Sequence, residues 1–442
     1  MSETHNRAML VILATALAVA TSYLFFPGLM SFDSIFQYRQ VIGDLPVRNY
    51  HPPVMVYAWQ LGHHLFGPGS MLVFHQMMYW CAIAVIAVCV RESLWGRSLV
   101  VVILGLLPPL WIHSATVWND VGVMCAFLLA VACTLLLKRT GARWVFIVGL
   151  LALCYGLAAK RTALLAAIPL FYILCDAYFN SGGRRGHWSN TAMLASMLLL
   201  SGLLAGLMMS SIGVEKYTKW PTIAVWDLTA VSIAEQKVLI PTNILFDKDE
   251  PEAATLARME AAFDPEVNGT LGDIGNFFPE PEHLREEFNA WLALPLDYPV
   301  SYFKHRARVF ARLLGLGPNK VRMAFEDRII ANDFGLQLLN KDSKALGTAF
   351  EWVALSTHTL IYRPWFYLVI LVVTLILASY RLWRNNTFCS RFLVCMGFSG
   401  LLYVSPLFIV APATDFRYTL WMVACSAIML CVILRSPANK PH

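Results

Sequence analysis

Charge is scarce in this chain. Only 14% of its 442 residues are Asp, Glu, Lys or Arg, while 58% are hydrophobic. Soluble proteins average about 25% charged and about 45–50% apolar residues, so a soluble globular core is excluded and a polytopic membrane protein is indicated. Cysteine is missing where a disulfide would be expected. All ten (Cys81, Cys89, Cys125, Cys133, Cys154, Cys175, Cys389, Cys395, Cys425 and Cys431) fall in or beside apolar runs, and the polar segment 212–350 has none. No disulfide framework or metal-knuckle spacing is visible, which leaves them as small apolar filler within helices. His51, His63, His64 and His113 lack the i, i+4 spacing of a helical metal pair. Repeats and low-complexity tracts are absent as well. The net charge of +6 is not a nucleic-acid signature, because excess Lys and Arg in membrane proteins gather in cytoplasmic loops.

What is present is a series of long apolar runs. They predict about ten spans, at 9–26, 70–90, 98–113, 121–137, 144–159, 163–179, 190–211, 364–380, 389–411 and 417–434, each approaching the roughly 20 residues that cross about 30 Å of hydrocarbon. The first run follows Arg7 and ends in Phe25-Phe26-Pro27-Gly28 rather than a small-x-small cleavage site, so it reads as a retained anchor. The fold class is therefore an all-α polytopic membrane protein. Residues 1–211 form an N-terminal transmembrane module with a first outer loop at 27–69. Residues 212–363 form a mainly helical outer segment, and 364–442 a C-terminal transmembrane module. Val54–Phe66 reads as a short amphipathic helix on the outer surface.

Loop charges set the orientation. With the N-terminus inside, the inner loops carry Arg91 and Arg97; Lys138, Arg139 and Arg143; Arg184 and Arg185; Arg381, Arg384 and Arg391; and Arg435 and Lys440. Every inner loop then obeys the positive-inside rule, and both termini are cytoplasmic. Asp33, His51, Asp120, Lys160–Arg161, the outer segment, and Asp415 with Arg417 gather at the outer face. A mid-membrane transport route would place ionisable residues in the middle of spans; here they sit at span ends.

Each of these residues also has a plain structural reading. Asp33, in Ser-Phe-Asp-Ser, is either a partly desolvated carboxylate with raised pKa that acts as a general base, or, like Ser31, a cap for a short helix at 34–42. Asp120 would complement a helix dipole. Lys160 and Arg161 run against the positive-inside bias, which phosphate binding explains and snorkelling also explains. Asp415 and Arg417 suit a weak local ion pair. In 297–314, Phe303, Ala307, Phe310 and Leu314 share one helical face, and Lys304, Arg308 and Arg312 another. That pattern suits a helix in the lipid headgroup layer or an ordinary amphipathic helix packed on its own domain.

In order along the chain, the residues resemble the GT-C class of integral-membrane glycosyltransferases, in particular a bacterial branch of it. The resemblance rests on Asp33 with Gln37, Asn49-Tyr50-His51-Pro52-Pro53, Trp118-Asn119-Asp120, Lys160-Arg161-Thr162, Tyr298-Pro299 with Tyr302 and Arg306, and Asp415-x-Arg417-Tyr418. Related sequences often carry Lys-Asp where this chain has Asn119-Asp120, and Arg-x-Asn where it has Lys160-Arg161-Thr162. The missing cation at 119 leaves a phosphate role to the pair 160–161.

The resemblance implies a GT-C-like helical arrangement and transfer of a hexosyl or pentosyl group from a polyprenyl-phosphate carrier. The acceptor would be the hydroxyl of a glycan, lipid or protein, reached at the outer face of the cytoplasmic membrane. It implies Asp33 as the base, Asp120 and His51 as orienting groups, and Lys160, Arg161 and Arg417 as the clamp on the leaving phosphate. Inversion is the expected stereochemical course. No cofactor is required; a divalent ion at Asp33 and Asp120 is the metal the scheme leaves room for. Two other classes fit the membrane architecture: a transporter or flippase of a lipid-linked glycan, and a glycan polymerase or ligase working from a diphosphate carrier.

Overall fold

The computed structural model describes residues 3–179, 214–317 and 321–434, with the single positions 195 and 202. Among these residues the chain is helical, and extended backbone pairs only in isolated bridges. In chain order the helices are α1 (Glu3–Leu24), α2 (Phe32–Val41), α3 (Val54–Phe66), α4 (Ser70–Val90), α5 (Leu94–Gly105), α6 (Pro108–Ser114), α7 (Asn119–Thr140), α8 (Arg143–Ala159) and α9 (Leu164–Phe179). They continue with α10 (Trp220–Glu235), α11 (Glu252–Ala262), α12 (Pro281–Asp297), α13 (Pro299–Leu313), α14 (Lys344–Ser356), α15 (Pro364–Arg384), α16 (Phe388–Val404), α17 (Leu407–Val410) and α18 (Leu420–Ile433).

Among the described residues, six stretches are long and apolar enough to cross a membrane: Val54–Val90, Asn119–Thr140, Arg161–Phe179, Pro364–Arg384, Phe388–Val410 and Phe416–Ile433. The pair α5–α6 makes a seventh if it is one broken span, and Ala8–Leu24 and Arg143–Ala159 are shorter apolar helices. The expected ten spans are therefore not reached among the described residues. The span at 190–211 and the cations Arg184, Arg185, Arg435 and Lys440 lie outside them.

Two elements differ from expectation. The run at 98–113 is not one helix: α5 and α6 meet at 70°, because Pro108 and Pro109 cannot continue α5 and instead start α6. Val54–Phe66 is not separate from the helix after it. It runs on through the 3-10 turn Gly67–Gly69 into α4 as one apolar stretch of 37 residues.

The chain divides into two compact units. One comprises Met1–Glu215, Met323–Val404 and Arg417–His442; the other comprises Lys216–Arg322 and Ser405–Phe416. In the first, α7 is the central helix, with 83% of its apolar window buried against 28% for α15. It packs on α4, α8, α9 and α18. The approach of α8 to α7 depends on Gly156, where a Cβ would lie 2.6 Å from Phe127 Cε1. Small residues of this kind let helix backbones come close inside a membrane.

The second unit is built around α10, on which α11, α12 and α13 pack. Its core holds a fully buried carboxylate, Asp227. Arg306 donates to Asp227 Oδ2 from Nε at 3.0 Å and from Nη2 at 2.5 Å, and Trp291 Nε1 donates to the same oxygen at 2.7 Å. His305 Nε2 lies 3.1 Å from Oδ1. The buried face of α13 is therefore Tyr302, His305, Arg306, Val309 and Leu313. Of the apolar face read from the sequence, Phe303 and Ala307 are exposed, Phe310 is half-buried and Leu314 is buried. A buried charge needs a partner, and the demand of Asp227 fixes the rotation of α13.

Candidate functional site

The site is assembled by a short extended segment, Leu29 to Ser31, in the first unit. Leu29 N–H donates to Ala115 O and Val117 N–H to Leu29 O, each at 2.9 Å. On the other side Met30 N–H donates to Arg328 O at 3.2 Å, and Ile330 N–H to Met30 O at 3.0 Å. Gly28 permits the entry: its φ is +117°, and a Cβ there would lie 2.8 Å from Val117 Cγ2. Residues 115–119, the segment leading into α2 and the loop at 323–331 are thereby held together, although they are far apart in sequence.

Ser31 ends this segment as the N-cap of α2, and its backbone N–H donates to Ser34 Oγ at 3.2 Å. Trp118 Nε1 donates to Ser31 Oγ and Ser34 Oγ donates to Val117 O, each at 2.7 Å. The cap is thus Ser31, and the Asp33 carboxylate, in the first turn of α2, is engaged elsewhere. Arg417 Nη1 donates to Asp33 Oδ2 at 2.7 Å, and His51 Nε2 lies 3.5 Å from Oδ1. Burial pushes the Asp33 carboxyl up, but the Arg417 guanidinium and the His51 imidazole outweigh it and hold it well below the usual carboxylate range. The raised value expected from the sequence is not found, because Arg417 is 384 residues away and could not be assigned to Asp33 by spacing.

Asp120, in the first turn of α7, is paired with Lys160 at the end of α8. Asn119 Nδ2 donates to Ala159 O at 3.1 Å, which ties the same two helix ends together. The Lys160 ammonium sits 4.7 Å from the ring centroid of Tyr418, and Arg417 Nη2 donates to the Tyr418 hydroxyl at 3.3 Å. Arg417 also lies over Trp118, 4.9 Å from its ring centroid. Asp33, Arg417, Tyr418, Lys160 and Asp120 therefore form one continuous chain of side chains, with His51 at one end. Arg161 follows Lys160, is exposed, and has no acidic partner among the described residues.

The sequence grouped Asp415 with Arg417 as a local pair. Within the second unit Asp415 pairs with Arg322, and within the first Arg417 pairs with Asp33. Among the described residues no set of three His, Cys, Asp or Glu side chains converges to hold a metal, and Asp33 and Asp120 are each already faced by a cation.

Beside this chain lies an open cleft of about 530 Å³, lined by Asp33, Arg417, Ser31, Phe32, Met323, Glu326, Arg328, Ile330 and Ala331. Its wall at 323–331 was not singled out in the sequence, because a loop has no periodicity to read. A second, apolar groove of about 720 Å³ runs between α1 and α4. It is lined from Val11 to Phe26 on one side and from Val73 to Val85 on the other, so one end of it reaches the residues just before the segment that carries Asp33.

No protein-family model and no curated protein sequence matches the chain. Among solved structures, it is similar to ArnT from Cupriavidus metallidurans bound to undecaprenyl phosphate. The alignment covers 95% of this chain and 77% of that one, at 12% identity and a TM-score of 0.34, a likeness too slight to carry a role for any residue.

Proposed function

We propose that the protein is a membrane glycosyltransferase that moves a sugar from a polyprenyl-phosphate carrier to an acceptor hydroxyl at the outer face of a bacterial cytoplasmic membrane. The observation that carries this reading is the chain from Asp33 through Arg417, Tyr418 and Lys160 to Asp120, which joins residues from four separate parts of the sequence and borders the cleft at Asp33 and Arg417. Such transfer needs an ionised carboxylate to receive the attacking hydroxyl and cations to meet the departing phosphate, with an apolar path for the carrier chain.

Each requirement has a candidate. The Asp33 carboxylate, kept ionised by Arg417, accepts the hydrogen bond of the attacking hydroxyl, and His51 steadies it. The oxygen forms its bond to the anomeric carbon as the bond from that carbon to the phosphate oxygen breaks; the hydroxyl proton passes to a carboxylate of the cleft, and the electron pair leaves with the polyprenyl phosphate. Arg417 brings a fixed positive charge beside Asp33 to meet the departing phosphate. Lys160 and Arg161 add charge where the leaving group develops it. Asp120 holds Lys160. The groove between α1 and α4 suits an isoprenoid tail. A single displacement inverts the anomeric centre.

The test is transfer from a panel of polyprenyl-phosphate sugars by purified protein, comparing wild type with Asp33→Asn. Wild type transfers one of the sugars, and the variant loses about 100-fold or more in rate while still binding the carrier. Donor that is never consumed, with labelled carrier crossing the membrane instead, replaces this reading by the transporter.

A further inference from the structure

Glu326 lines the same cleft as Asp33 and Arg417. Its place there is fixed on both sides. Met30 N–H donates to Arg328 O, and Ile330 N–H to Met30 O, which locks the loop against the segment leading into Asp33. Phe325, one residue earlier, stacks on Phe350 with ring centroids 6.3 Å apart. The Glu326 residue is 7% exposed.

The neighbouring charges are spoken for. Arg328 Nε donates to Asp327 Oδ1 at 2.9 Å on the exposed side of the loop, and Arg417 donates to Asp33. Among the described residues no side chain forms a hydrogen bond or ion pair with the Glu326 carboxyl. A carboxyl without a side-chain partner on so buried a residue is costly to ionise, yet it stands at the wall of an open cleft beside a second carboxylate.

We propose that Glu326 is the catalytic base of the transfer: its carboxylate takes the proton of the acceptor hydroxyl as that oxygen bonds to the anomeric carbon, and the polyprenyl phosphate departs with the electron pair of the broken bond. The proposal rests on the transferase reading. It divides the work between two carboxylates. Asp33, held low by Arg417 and His51, stays ionised and orients the hydroxyl but is a weak base. Burial pushes Glu326 up to about 7, with Asp327 adding to the rise and Arg328 and Arg417 opposing it. The charged groups facing it are Asp33 from α2, Asp327 and Arg328 from its own loop, and Arg417 from the turn before α18. A base works best when its pKa is near the working pH, and two carboxyl groups driven apart in one cleft mark a division of roles.

The sign of the pH dependence follows. Glu326 accepts a proton only when ionised, so the wild-type rate falls as pH drops through about 7. The experiment measures transfer between about pH 5 and pH 9 for wild type, Glu326→Gln and Glu326→Asp. Glu326→Gln is expected to lose about 100-fold in kcat, with donor KM little changed and the acid limb abolished. Glu326→Asp restores part of the rate and keeps a limb. A wild-type profile with no limb near neutrality overturns the proposal without any variant. Glu326→Gln turning over at the wild-type rate with the same limb overturns it too, and leaves the transferase reading standing. A folded wild type that transfers no carrier-linked sugar removes both.

Discussion

Arg417 serves three neighbours from one guanidinium: the Asp33 carboxylate at 2.7 Å, the Tyr418 hydroxyl at 3.3 Å and the Trp118 ring at 4.9 Å. A planar fork does this at fixed spacing, whereas an ammonium is a point charge on a flexible stem. Arg417→Lys therefore keeps the charge and loses the geometry. The expected result is a folded protein whose transfer rate drops about 10- to 100-fold, the equivalent of one charge-assisted hydrogen bond worth about 1.5–3 kcal/mol. Steady-state kinetics with thermal unfolding on the same sample checks it; an unchanged rate would mean that charge alone is used. Lys160 is the contrasting case. It meets Asp120 and the Tyr418 ring as a simple cation, so its position depends on where α8 ends rather than on fork geometry.

That dependence makes the α7–α8 contact a functional element. α8 ends at Ala159, whose carbonyl accepts from Asn119, and the next residue is Lys160. Gly156 lies one turn before, against Phe127. Gly156→Val overpacks the contact at a cost of about 1–3 kcal/mol and shifts Lys160 off Asp120, so both the unfolding temperature and the transfer rate fall. Adding Phe127→Leu removes ring atoms from the clash and restores part of both, a coupling that a double-mutant cycle reads directly. Purely additive losses would show that the two residues do not communicate. Element by element, the sequence was legible where periodicity or hydropathy carried the information. The helix Asn119–Thr140 stands over the predicted span 121–137. The break at Pro108-Pro109 escapes a hydropathy reading, because a window averages across the two prolines. The rotation of α13 was not legible: Asp227 lies 79 residues before Arg306, and no local pattern reports so distant a charge. Asp33, His51, Asp120, Lys160 and Arg417 were singled out because polar residues at span ends are conspicuous. Glu326 sits in a polar loop, where an acid is unremarkable until the fold buries it.

At the scale of the whole molecule, the reading requires a topology in which the cleft opens to the outer side. The six long apolar stretches among the described residues support membrane character, and the loop cations are the basis of the expected orientation. The native cysteines make this testable. Cys389, exposed at the start of α16, is expected on the inner side, while the described part of the second unit contains no cysteine. Glu252→Cys places a thiol on the exposed first turn of α11. A membrane-impermeant maleimide added to intact cells is expected to label the introduced residue and to leave Cys389 unlabelled until the membrane is opened. Cys389→Ser identifies the second signal when it appears. Labelling at Cys389 in intact cells, with Glu252→Cys protected, would invert the molecule. Asp33, Glu326 and Arg417 would then face the cytoplasm, where soluble nucleotide sugars are at hand and a carrier-linked donor loses its rationale. The orientation of α16 and the chemistry of the cleft therefore stand or fall together.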